Sequence, residues 1–179
     1  GLDESPWAGP LGDLLPLQIH EVSHPGERAA RTRMEDCLHR HHDLGYQSRV
    51  GENLQYWVAS STGRRVAEVV NNTRFLILPW VRVPNLASHV LGRVAARVAT
   101  DWEGKYRHSI ELLETFVGRA RFRGTCYRAA DWVRVGQTKG RGRQGPGGML
   151  STSIKDVFLY LLHPDAAPVS APQPHLHDL

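Results

Sequence analysis

Cysteine is scarce: Cys37 and Cys126 are the only two in 179 residues. Two thiols cannot build a disulfide framework, and their rarity suits a reducing compartment. Lysine is scarce too. Only Lys105, Lys139 and Lys155 stand among 22 basic residues, and the rest are arginines. No apolar run approaches the ~18–20 residues of a membrane span. The opening GLDESPWAGP is acidic and has no apolar stretch, so no secretory signal is expected. No histidine cluster has zinc-ligand spacing: His39, His41 and His42 form an H-x-H-H group without a cysteine partner, and read as a solvated helix end.

What is present is ordinary in bulk and uneven in detail. Hydrophobic residues at 41% and charged residues at 22% suit a globular, cytoplasmic chain of about one domain. The net charge is +4, yet residues 119–143 alone hold eight cations against Asp131, a net of +7, which leaves −3 for the remainder. A concentrated basic stripe is the footprint of a phosphate-bearing partner. A GC-rich coding bias toward Ala, Arg, Gly, Pro and Val accounts equally well for the arginine total, and less well for its clustering.

Periodicity gives a coarse order of elements. Residues 1–16 read as an irregular lead-in broken by three prolines. Leu17–Val22 alternates as a strand, and Pro25–His42 carries Ala30, Met34, Leu38 and His41 at helical spacing. Asn53–Ser60 is a strand with Leu54, Tyr56 and Val58 on one side. Arg64–Val70 leads into the strongest strand, Arg74–Val83, which Pro79 must interrupt because it cannot donate to a ladder. Asn85–Trp102 is a helix with Asn85 as its cap. Then come a strand at Ile110–Val117, a short helix at Arg119–Ala130, and a strand at Trp132–Thr138. A Gly-rich basic loop at Lys139–Leu150 and a strand at Ile154–Leu162 follow. Residues 163–179, with four prolines, read as a loosely packed tail. This order predicts an α/β fold with a mixed central sheet and helices on both faces, a single domain over residues 1–162.

Several groups could carry chemistry. Glu111 and Glu114 sit three apart on one strand, so they fall on opposite faces and one should enter the packed side. There it is either a general base or a structural partner for an arginine. Tyr127 could be a general acid. Cys126 reads as a core residue, since no His or Asp partner stands at a telling spacing. The Gly136–Arg143 stretch lacks a P-loop pattern and is either a plain flexible loop or a grip on nucleic-acid phosphates. Arg121, Arg123, Lys139, Arg141 and Arg143 are the candidate nucleic-acid contacts. The turn from Val83 to Ser88 brings a helix start to a strand end, where bare N–H groups can meet an anion; a structural connection is the other reading.

Six blocks carry a resemblance. They are His42-Asp43-Leu44-Gly45-Tyr46, Asn71–Val81 (NNTRFLILPWV), Pro84–Ser88 (PNLAS), Leu113–Val117 (LETFV), Phe122–Ala130 (FRGTCYRAA) and Val135–Gly142 (VGQTKGRG). Together they resemble the family of the Druantia anti-phage protein DruA, from about Trp7 to Leu162. That resemblance implies a defence or mobile-element setting, with some relatives labelled transposases, partner proteins of a defence system, and no membrane. Against the family pattern, the span from Val58 to Asn71 is short, which implies a lost strand and a thinner pocket wall.

The order of elements also resembles the GNAT acyltransferase fold. That likeness implies acyl transfer from a coenzyme A thioester to an amine, small molecule or nucleobase. Trp80, Val81, Asn85 and Ser88 would hold the cofactor, Glu111 or Glu114 would take a proton, and Tyr127 would return one. The Val83–Ser88 turn departs from the GNAT cofactor loop, Arg/Gln-x-x-Gly-x-Gly/Ala. The leading expectation is therefore a nucleic-acid-associated defence protein that binds through its arginine-rich face. The transferase is the alternative, and whether the chain is an enzyme stays open.

Overall fold

The computed structural model describes residues 3–22, 25–42, 52–70, 74–139 and 153–162. The chain divides at Ile110 into two compact units. The first contains strands β1 (Trp7–Ala8), β2 (Gln18–Glu21), β3 (Gln55–Ala59), β4 (Arg65–Val70), β5 (Arg74–Ile77) and β6 (Val81–Arg82). Its helices are α1 (Arg28–His41) and α2 (Leu86–Tyr106).

Strands β2-β3-β4-β5 form an antiparallel sheet in that order. Alternation along β3 decides which helix covers which face. Trp57 of β3 and Leu76 of β5, both in register with Glu68 of the strand between them, pack against Val22, Ala30, Met34 and Leu38, so α1 lies on their side. Tyr56 points the other way, its hydroxyl donating to Asp101 of α2 at 2.9 Å with the Arg97 guanidinium over its ring. The two helices therefore sit on opposite faces, as the sequence pattern predicts. Each fully buried Val, Leu or Met of this core contributes roughly 1.5–3 kcal/mol. The short span after Val58 still contains a β3–β4 hairpin, closed by Gly63 N–H to Ser60 O at 2.9 Å.

Pro79 interrupts its strand as expected. β5 ends at Ile77, the amide of Val81 closes a turn onto Leu78 O at 2.9 Å, and β6 resumes with a new partner. That partner is β1, in parallel register, with Trp7 opposite Val81. The supposedly irregular lead-in thus supplies a strand. It is held by Arg64, whose guanidinium bonds Ser5 O and sits 3.6 Å from the Asp3 carboxylate and 5.2 Å from the Trp7 ring. Helix α2 runs one turn past Trp102 and stops where Arg107 turns left-handed at φ 63°.

The second unit contains β7 (Leu112–Gly118), α3 (Thr125–Arg128), β8 (Val133–Gln137) and β9 (Lys155–Leu161). The strands pair antiparallel with β9 in the middle, order β7-β9-β8. Thr115, Val117, Asp156 and Phe158 share the face on which Tyr127 packs, 5.7 Å from Phe158 and 5.3 Å from Trp132 between ring centres. The helix expected over Arg119–Ala130 shrinks to the single turn α3. The reason is Gly124, which is left-handed at φ 66° and cuts the segment in two. Upstream, the amides of Arg121 and Phe122 both donate to Gly118 O, at 3.2 and 2.9 Å, making a tight turn instead.

Gly124 has a second constraint. A β carbon there would lie 2.6 Å from Phe158 Cζ. Gly124→Ala should cost roughly 2–4 kcal/mol, backbone strain and steric overlap adding. Gly63→Ala, at φ 84° with nothing within 4 Å of the new carbon, should cost only about 1–2 kcal/mol. Urea unfolding of the two variants measures the difference, and equal losses would contradict the packing role of Gly124.

Candidate nucleic-acid interface

The basic stripe resolves into three kinds of arginine. Arg134 Nη2 donates to Asp156 Oδ1 at 2.7 Å, and Arg119 Nε stands 3.6 Å from the same oxygen. Arg119 also donates to Gln137 Oε1 at 2.7 Å. These two are structural. Arg128 is half engaged: it donates to Arg123 O at 2.9 Å and lies 5.6 Å from the centre of the Phe158 ring. Arg121, Arg123 and Lys139 are exposed, Arg121 with its guanidinium 6.0 Å from the Phe122 ring centre. Arg141 and Arg143 lie outside the described residues.

Asp156 is the residue that sequence reasoning missed. The apparent surplus between residues 119 and 143 counts only Asp131, whereas β9 pairs with β8 so that Asp156 lies opposite Gln137 and within reach of Arg134. The local sequence contains no signal for it, because the pairing is long-range. Asp156 is only 7% exposed, and the Arg134 hydrogen bond holds its carboxyl below the ordinary carboxylate range.

The candidate acid and bases are not assembled as expected. Tyr127 is buried, and burial raises its hydroxyl to about 12, so it keeps its proton at neutral pH. Its hydroxyl oxygen meets Thr115 Oγ1 at 3.5 Å. Glu114, next to Thr115 in β7, therefore points to the opposite, exposed face. Glu111 precedes the strand and is exposed too. The expectation that one glutamate enters the packed side fails, because the strand begins at Leu112 rather than Ile110 and the inward position is taken by Thr115. Cys126 is half-buried rather than in the core as expected, and burial raises its thiol.

Val81 is buried and paired with Trp7, whose amide donates to Trp80 O at 2.7 Å. The strand edge freed by Pro79 is thus occupied by the chain itself. Trp80 packs edge-on against His41 with ring centres 5.3 Å apart, and its indole nitrogen is buried with no hydrogen-bond partner among the described residues. Asn85 occupies the cap position of α2, but its backbone is left-handed and its side chain caps nothing. Its carbonyl accepts from His89 N–H at 3.1 Å and from the Ser88 hydroxyl at 3.0 Å. With that edge filled, that hydroxyl bonded to Asn85 O and no glycine in the Val83–Ser88 turn, these residues do not fit coenzyme A in the manner expected.

Elsewhere in the first unit a cleft of about 690 Å³ follows edge strand β2. Arg97 spans it, bonding Asp101 through Nε at 2.6 Å and Nη2 at 3.1 Å and donating to Ile19 O at 2.8 Å. His20 stacks on Trp57 at 3.9 Å along its other side. The i, i+4 spacing of Arg97 and Asp101 on a helix was the available sequence signal. Among the described residues no group of three His, Cys, Asp or Glu is placed to hold a metal ion, and no helix is long and apolar enough to cross a membrane.

This combination of elements occurs in known structures. Solved structures of spermidine N-acetyltransferase SpeG from Vibrio cholerae match it. A point-mutant form gives a TM-score of 0.58 at 11% identity, covering 82% of this chain and 94% of that one. The form in complex with coenzyme A and spermine gives 0.52 at 10% identity, covering 82% and 95%. The fold is therefore that of the GNAT acetyltransferases, and at such identity the likeness speaks for the fold alone. The family model described as Druantia protein DruA matches residues 60–170. The chain belongs to the DruA family, which ties it to the Druantia defence proteins. No curated protein matches it.

The Asp156 pair sets an acid limit on stability. Its pKa is lower folded than unfolded, so its contribution is complete above the unfolded value of ~3.9 and is lost as pH falls through the folded value. Asp156→Asn should be less stable than wild type at neutral pH, and the gap should narrow below pH ~4. Thermal melts of both proteins across that range measure it; a constant gap would exclude the ion pair as the cause.

Proposed function

We propose that this DruA-family chain is a nucleic-acid-associated defence protein that grips phosphates through Arg121, Arg123, Lys139, Arg141 and Arg143. One observation supports this above the others. After Asp156 has taken up Arg119 and Arg134, Arg121 and Arg123 remain exposed on a turn whose backbone is fixed by the Gly118 carbonyl. Arginine suits the role because its planar fork meets two phosphate oxygens at once. A defence setting also supplies the partners: foreign nucleic acid, and the other proteins of such a system.

Contacts of this kind position a protein without reading sequence. Neutralising about five phosphates gives a log–log salt slope of roughly −4 to −5 on duplex DNA. Replacing Arg121 and Arg123 together with Ala should make the slope shallower by roughly 2 and lower affinity alike for all sequences. Fluorescence anisotropy over a salt series reads both quantities. A salt-independent affinity, or no binding at low salt, contradicts the proposal.

The transferase reading is favoured by the fold. It is disfavoured by the β1–β6 pairing and by the separation of Tyr127 from Glu114. Titration calorimetry with acetyl-coenzyme A should give no saturable heat; saturable binding would bring the reading back, along with the roles expected of Tyr127 and the glutamates.

A further inference from the structure

Phe122 is 54% exposed, between Arg121 and Arg123, in a molecule that buries its other aromatic residues of this unit far better, Phe116 excepted. A single exposed apolar side chain needs no explanation in general. Three features set this one apart. Its amide is bonded to Gly118 O at 2.9 Å, and the carbonyl of the next residue, Arg123, is bonded by Arg128 Nη1 at 2.9 Å. Its ring has a guanidinium 6.0 Å from its centre, supplied by Arg121. The residue that follows the turn, Gly124, is locked against Phe158. The ring is therefore presented from a backbone held at both ends, and its ordering is settled before any ligand arrives.

We propose that Phe122 is a stacking platform for an unpaired nucleobase, which makes the ligand of the basic turn a single strand rather than a duplex. This rests on the nucleic-acid reading above and specifies its substrate class. In a duplex the base faces are covered by their neighbours, so a convex turn meets only phosphates. In a single strand a base can leave the stack and lie on the ring, while Arg121 and Arg123 take the phosphates on either side. Such stacking tolerates any base, because every base has a π face. It also explains why an aromatic residue stands among cations: the electrostatic contacts hold the backbone and the ring holds the base.

The test uses the intact chain and fluorescein-labelled oligothymidylate, oligouridylate and a mixed-sequence duplex, with affinity read by anisotropy. Wild type should bind the single strands more tightly than the duplex. Phe122→Leu should weaken single-strand binding roughly 5- to 150-fold, leaving duplex affinity and the salt slope unchanged. Phe122→Trp should restore or tighten it, which separates loss of the ring from loss of the fold. The two single strands tell DNA from RNA, and a preference for either supports the proposal. Equal single-strand binding by wild type and Phe122→Leu, with the salt-dependent affinity intact, overturns the stacking platform and leaves the basic turn standing. Absence of binding to all three probes overturns both.

Discussion

Phe158 and Gly124 stand so close that no β carbon fits between them. Much of the second unit follows from that contact. Phe158 is the buried centre of the middle strand, and Tyr127 and Arg128 lie against its ring. Gly124 admits the ring and, because it is left-handed, stops a helix from running back through residues 119–123. Those residues are left as a tight turn carrying Arg121, Phe122 and Arg123 outward. A packing constraint in the core thus decides which side chains the surface displays.

Electrostatics then sorts the cations. A stripe of like charges repels itself, and one carboxylate set among them at β9 removes part of that cost. Asp156 stabilises the sheet by holding Arg134 and Arg119, and so subtracts them from whatever the surface can offer a phosphate. The exposed remainder is smaller than composition suggests and more sharply located. The first unit shows a comparable economy at its strand break. Pro79 forfeits a ladder bond, and the vacated pairing is taken by Trp7–Ala8 under the hold of Arg64. The strand edge beyond the break is paired by the chain's own β1.

Local signals were legible in the sequence and long-range ones were not. The period of α1 is written in Ala30, Met34 and Leu38, the alternation of β3 in Tyr56 and Val58, and the strand break in Pro79, because each depends on residues a few positions apart. The motif blocks around Asn71–Val81 and Phe122–Ala130 pointed to the family, and the order of elements to the fold. What escaped were pairings across the chain: Trp7 with Val81, Asp156 with Arg134, and Gly124 with Phe158. Alternation turns Thr115 inward and Glu114 outward wherever β7 begins, and a start at Leu112, two residues later than expected, leaves Glu111 outside the strand. The cleft along β2 escaped because Ile19 and Asp101 are distant in sequence.

The most direct measurement is hydrogen–deuterium exchange of the intact chain with and without a single-stranded oligonucleotide. Residues Arg119–Arg128 should exchange more slowly when it is bound, while Trp80–Ser88 and the β2 cleft stay unchanged. Protection confined to Trp80–Ser88 or to the cleft, with the Arg121–Arg123 turn unaffected, would contradict the assignment of the basic turn as the binding site.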